Sequence, residues 1–352
     1  MKGFGLRRFA IGLCVVALAA YVFAASPVGG YHLLKKVALG AAPGDTEYFD
    51  YIAVDSAARR IYLSHGIDFK VLNADTFALA GTIGGFKRDH GIALVPELNR
   101  GFISDGDAGQ IVIVDLKTLK TVGQVQGEKG ADTIMYEPVS KRIFVFNGQP
   151  KNATVIDPAK ATVIATIPLG GAPEQAVADG KGMIYNNLED TNEVVAIDAR
   201  AMKVTARWKV APGGQPVAIA MDRQKRRLFV GGRKPTSLVV MNADTGQVIG
   251  QPFPIGDRVD TNIFDPESGM VAAATREGTI HIFHEDSADK LTVVETVKTE
   301  FGAKTMGFDS KTHNLFVTTS DFDPPAAPTE KQPNPQPRAK PGTFRVLIYG
   351  RS

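Results

Sequence analysis

The side chains of this sequence best able to act together recur at a near-constant interval. Asp50, Gly91, Asp132, Glu174, Val217, Asp260 and Lys304 follow one another at steps of 41, 41, 42, 43, 43 and 44 residues. His90, Gln175, Arg258, Thr261 and Asn262 stand beside them. A second group, His65, Asp68, Asp105, Asp107, Asn147, Asn187, Arg233, Lys234, Thr275 and Arg276, falls between successive members of the series. A fold that gathered both groups would make a carboxylate cluster able to hold a divalent cation. It would also bring Arg233, Arg258 and Arg276 together as a clamp for a polar anion. His65 and His90, with Asp50 or Asp89, could ligate a transition metal or form an acid–base pair. Polar residues at such places also cap turns, a competing role.

Other chemistries find no support. His281 and His284 lie three apart on one predicted strand, so their side chains point to opposite faces. The Gly-x-Ser-x-Gly elbow of serine hydrolases is absent. Gly231-Gly232-Arg233-Lys234 lacks the full phosphate-loop pattern. No Cys-x-x-Cys-His occurs, which excludes covalent haem, and Cys14 is the sole cysteine.

The elements that must position these residues also repeat. A small-apolar strand ends in a turn residue, and an Ile-Tyr-Leu type of strand follows about five residues later. The turn residues are Asp55, Pro96, Glu137, Asp179, Asp222, Asp265 and Asp309. Each pair of strands is followed by an aliphatic strand, often closed by Asp or Asn as at Asp115, Asp157 and Asp198, and then by another β-rich piece. Four short strands in 40–45 residues is the size of a propeller blade. The first three strand types occur seven times, but the fourth follows them only six times. Tyr31 to Ala38 has the look of the missing outer strand and is expected to pair with the strand around Phe344–Tyr349. The reading is an all-β, seven-bladed β-propeller with four antiparallel strands per blade, closed by pairing of the N-terminal strand with the C-terminal blade. The candidate ligand residues of its funnel are Asp50, His65, His90, Asp132, Glu174, Arg233, Arg258, Asp260, Arg276 and Lys304. Trp208 is expected to pack on an outer strand.

These phrases resemble the YVTN-repeat family of bacterial propellers, which includes the periplasmic YncE-like proteins. The resemblance spans about residues 31–350 and departs in lacking the Ala-Asn pair that usually ends the second strand, which Asn186-Asn187 approaches most closely. The resemblance implies the propeller fold, and a clean repeat with no catalytic constellation points to a non-enzymatic exported propeller that binds a protein, peptide or small ligand at the funnel, with no cofactor expected beyond a divalent cation. Two alternatives stay open. One is a lactonase-like, metal-dependent hydrolase using Asp50, His90 and Glu174; the other is the propeller subunit of a periplasmic redox enzyme.

The ends and one interruption complete the organisation. Residues 1–24 join basic Lys2, Arg7 and Arg8 to an apolar run over 9–24, the pattern of a secretory signal peptide. That run is shorter than the ~20 residues that span a bilayer, so no membrane span is expected after cleavage, and the location is periplasmic or secreted. These residues hold three basic and no acidic groups, leaving 37 of each sign in 25–352. Such a balance gives no excess for strong nucleic-acid binding, and a monomer is expected. Residues 321–341 carry seven prolines and read as a disordered or extended insertion in the last blade. It serves either as a tolerated surface loop or as a flap over the funnel.

Overall fold

The computed structural model describes residue 1 and residues 30–45, 47–330 and 332–351. The expected signal segment and Cys14 lie outside these. The described residues form seven four-stranded antiparallel sheets arranged as a seven-bladed β-propeller. Blade 1 runs Ile52–Asp55, Arg60–His65, Asp68–Asn73 and Leu79–Gly84 from the axis outward. Blades 2 to 6 repeat this order, with innermost strands Asp89–Val95, Ala131–Glu137, Pro173–Ala178, Pro216–Asp222 and Val259–Asp265. Blade 7 combines Met306–Phe308, Leu315–Thr319 and Phe344–Arg351 with Tyr31–Gly40 as its outermost strand. The register there runs from Tyr31 opposite Arg351 to Gly40 opposite Phe344. No helix among the described residues is long and apolar enough to cross a membrane.

Strand alternation explains why the sheets stack. Successive side chains point to opposite faces, and the second strand of each blade is apolar on both. In blade 1, Ile61 and Leu63 join a core with Phe316, Phe344 and Val346 of blade 7, whereas Tyr62 joins one with Ile92, Ile103 and Val112 of blade 2. Among the described residues seven such cores occur, one at each junction between neighbouring blades. Each fully buried Phe, Leu, Ile or Val contributes roughly 1.5–3 kcal/mol relative to exposure. Trp208, half-buried on the outermost strand of blade 4, stacks on Tyr185 with ring centroids 6.1 Å apart. It covers Gly246 of blade 5 so closely that a Cβ there would fall 1.9 Å from the indole.

The recurring acids hold turns. Asp115 Oδ1 accepts from the N–H groups of Lys117 and Thr118 at 3.0 and 2.8 Å, and Asp157, Asp198 and Asn242 repeat the motif. The inner turn acids also stitch blades together. Asp309 of blade 7 meets Arg59 of blade 1 at 2.8 Å, Asp179 meets Arg226 at 2.8 Å, and Asp265 meets His313 at 2.8 Å.

Buried Asp89 differs, because no cation among the described residues forms an ion pair with it. Its Oδ1 accepts from Ser64 Oγ at 2.7 Å, and burial pushes its carboxyl up to about 8. A carboxyl raised in the fold costs stability as pH climbs from its unfolded value to its folded one. Asp89→Asn, which keeps an acceptor for Ser64, is therefore expected to raise the Tm at pH 9, with the gain shrinking as pH falls towards 5. Thermal melts at both pH values check this; an equal effect at both would contradict it.

Candidate functional site

The innermost strands of blades 2 to 6 each begin with a register break. The antiparallel pairing skips between Asp89 and Ile92, Ala131 and Ile134, Pro173 and Ala176, Pro216 and Ala218, and Val259 and Thr261. A bulge leaves a residue out of the ladder and re-aims its side chain. His90, Asp132, Glu174, Val217 and Asp260 all occupy such positions. Asp50 and Lys304 reach the same face from the segments leading into blades 1 and 7.

One sector is acidic. His90 Nδ1 lies 2.7 Å from Asp50 Oδ2 and 3.2 Å from Asp132 Oδ1, and Tyr48 donates its hydroxyl to Asp50 Oδ2 at 2.7 Å. Burial opposes a charged imidazole here, but Asp132 and Asp50 outweigh it and bring His90 up to about 10. Burial also raises Asp50, yet His90, Lys304 and Tyr48 hold it below the usual carboxylate value; burial and the Asp50 charge lift Asp132. Glu174 has no hydrogen-bond or ion-pair partner for its carboxyl among the described residues. Burial, then Asp132, Asp260 and Glu189, push it well above its ordinary value. His90, Asp132, Glu174, Glu189 and Arg88 line one cavity of about 320 Å³.

The opposite sector is basic. Arg233, Lys234, Arg258, Arg276 and Lys304 line a cavity of about 420 Å³ with Gln215 and Asp257. Arg233 and Lys304 both close on Asp260, in very short ion pairs. Arg258 and Arg276 instead donate to a single neutral acceptor, Gln336 Oε1, at 2.5 and 3.0 Å. Burial and the Arg258 charge lower the Arg276 guanidinium from its ordinary value.

Gln336 belongs to the proline-rich insertion, which is extended and anchored along its base. Phe322 packs edge-on against Phe49 and Phe301, Asp321 pairs with Arg345 at 3.0 Å, and Phe322 bridges to Ala339. Its composition gave no sign of this anchoring, which rests on Phe322, the Asp321–Arg345 ion pair, backbone bonds at its base and the Gln336 amide. Pro337, Arg338 and Ala339 share a further cavity of about 490 Å³ with Tyr48, Arg88 and Lys304, so the insertion lies against the funnel.

The axis itself is hydrogen-bonded across. Thr133 of blade 3 donates to the Tyr51 hydroxyl at the start of blade 1 at 2.7 Å. Gln175 of blade 4 accepts from the N–H groups of Ile219 at 2.9 Å and Asn262 at 3.3 Å, in blades 5 and 6.

Two expectations need correction. His65 does not join the funnel. Fully buried, it contacts Glu47 at 2.8 Å and Asp68 at 3.4 Å and stacks on Phe344 with centroids 4.0 Å apart. Nor does it meet His90, whose partners are Asp50, Asp132 and Tyr48 rather than Asp89. The sequence spacing could not foresee that Phe344, from the other end of the chain, would cover the imidazole. The hydrolytic alternative also changes, since Asp132 rather than Glu174 completes the His90 group. His281 accepts from the Gly256 N–H at 2.8 Å and His284 pairs with exposed Asp286, so neither enters the funnel.

No family model matches the chain, and no curated protein matches it. Solved structures do. A chain of the mitotic checkpoint complex superposes with a TM-score of 0.71 at 14% identity, over 96% of this chain and 99% of that one. A chain of hydrazine synthase from Kuenenia stuttgartiensis gives 0.68 at 11% identity, over 76% of this chain and 91% of that one. At such identities the likeness establishes the propeller architecture alone.

Removal of the Gln175 amide would leave two inner-strand N–H groups without an acceptor. Gln175→Ala is expected to lower unfolding stability by about 1–3 kcal/mol, against less than about 0.5 kcal/mol for exposed Gln247→Ala. Urea titrations distinguish them, and equal losses would show that the axis does not depend on this bond.

Proposed function

We propose that this chain is a binding propeller, exported to the periplasm, whose funnel takes a small anionic molecule bearing carboxylate or phosphate groups. The observation that carries this reading is the unbalanced charge of the basic cavity. Five cationic side chains surround it, against Asp257 and Asp260, and Arg258 and Arg276 share only an uncharged amide oxygen. Guanidinium groups form their strongest hydrogen bonds with carboxylate or phosphate oxygens, often two at a time. An anion placed at Gln336 Oε1 would relieve the repulsion between the arginines and gain charge-assisted bonds. The resemblance to YVTN-repeat propellers and the signal-like N-terminus support export and a binding role.

Calorimetry with citrate and with pyrophosphate, in chelated, metal-free buffer at low salt, tests the reading. Binding is expected and should weaken as salt rises. Arg258→Ala combined with Arg276→Ala should cost at least about tenfold, since a bond to a charged group contributes about 1.5–3 kcal/mol. Gln336→Ala should tighten binding by removing the internal acceptor. No heat with either anion, or equal affinity in the double variant, would overturn the proposal.

A further inference from the structure

We infer that Asp50, His90 and Asp132 form a binding site for one divalent transition-metal ion, separate from the basic cavity. Three observations carry this. The first is convergence: Asp50 Oδ2, His90 Nδ1 and an Asp132 oxygen all lie within 4.8 Å of one another, the one such group among the described residues. Ligands about 2.0–2.2 Å from a shared ion stand at separations of this order.

The second is an orphaned atom. Asp132 Oδ1 is shielded from solvent and accepts no hydrogen bond. His90 Nδ1 has one hydrogen at most, and Asp50 receives it at 2.7 Å, so Asp132 at 3.2 Å is left with the charge of the ring and no hydrogen bond. A buried carboxylate oxygen left in this state is costly. An ion between the three atoms would satisfy all of them. Glu174, whose carboxyl has no hydrogen-bond or ion-pair partner among the described residues, lines the same cavity.

The third is the way the ligands are held. Thr305 Oγ1 donates to the Asp50 carbonyl at 2.7 Å, and Ser104 Oγ donates to the Asp132 carbonyl at 2.6 Å. Tyr48 orients the Asp50 carboxylate. Gly106 leaves room for the imidazole, because a Cβ there would come within 2.9 Å of His90 Nε2. Partners that orient metal ligands are the usual companions of such sites.

One imidazole nitrogen and two carboxylates suit zinc, manganese or cobalt better than calcium, which takes six to eight oxygens. The site faces the 320 Å³ cavity, leaving a coordination position open to water or to a ligand.

Calorimetry and visible absorption of the full chain with zinc, cobalt and calcium chlorides test this. One equivalent of zinc is expected, with calcium at least about tenfold weaker. Cobalt should develop d–d absorption bands. His90→Gln and Asp132→Asn should each weaken zinc by at least about tenfold and abolish the cobalt bands, while His284→Gln should leave both intact. Circular dichroism and thermal melts report whether each variant folds, and Asp50→Asn serves where one does not. The Arg258→Ala, Arg276→Ala double variant should bind zinc like the parent, so failure of the anion reading leaves this inference standing. Absence of zinc binding, or binding unchanged in His90→Gln and Asp132→Asn, would overturn it and leave His90 as an imidazolium clamp between two carboxylates.

Discussion

A four-stranded sheet that is apolar on both faces cannot be stable alone, and everything else in this molecule follows from how that is resolved. Each blade buries its faces only against the blades on either side. A linear stack would leave two faces and two edges in water. The ring leaves no blade face uncovered, although the outermost strands stay at its rim, because blade 7 packs on blade 1 through Phe316, Phe344 and Val346 against Ile61 and Leu63. Tyr31–Gly40 supplies the outer strand of that last blade. The turn aspartates add polar links between neighbours, including Asp309 to Arg59 across the junction between the chain ends.

The same constraint creates the funnel. Ring packing forces the innermost strands towards a common axis, and a bulge at the start of five of them turns one residue per blade towards its mouth. Side chains forty or more residues apart in sequence thereby come within hydrogen-bond distance. Their charges are segregated: acids with His90 on one side, arginines and Lys304 on the other, and Asp260 between, paired with Arg233 and Lys304. Burial, reinforced by crowding of like charge, raises Glu174 and lowers Arg276 from their ordinary values, a destabilising arrangement that a turn-capping role does not require.

Much of this was legible in the residues. The turn acids and the Ile-Tyr-Leu strands recur because each blade repeats one solution, so blade number and the outer strand at Tyr31 could be read from spacing. Nine of the ten candidate ligand residues stand in the funnel or pair within it; the period places Asp50, Asp132, Glu174, Asp260 and Lys304 at the same point of their blades, and the other four come from neighbouring positions and from the loop after the second strand. What spacing could not supply was pairing. A bulge moves the contributing residue of blade 2 to His90 rather than Gly91, and Asp132 rather than Glu174 then meets the imidazole. His65 shares the loop position of the arginines but is buried by Phe344, Glu47 and Asp68. The proline-rich insertion owes its position to Asp321, Phe322 and Gln336, residues that composition does not single out.

Ring closure is best tested by native-state hydrogen exchange read out at single residues. Backbone amides of residues 31–40 that face Phe344–Arg351 are expected to exchange as slowly as those of Leu315–Thr319, which pair with the other side of the same strand. Rapid exchange confined to 31–40, with the rest of blade 7 protected, would show that the leading segment is not part of the sheet and that the ring is held by packing of blades 1 and 7 alone.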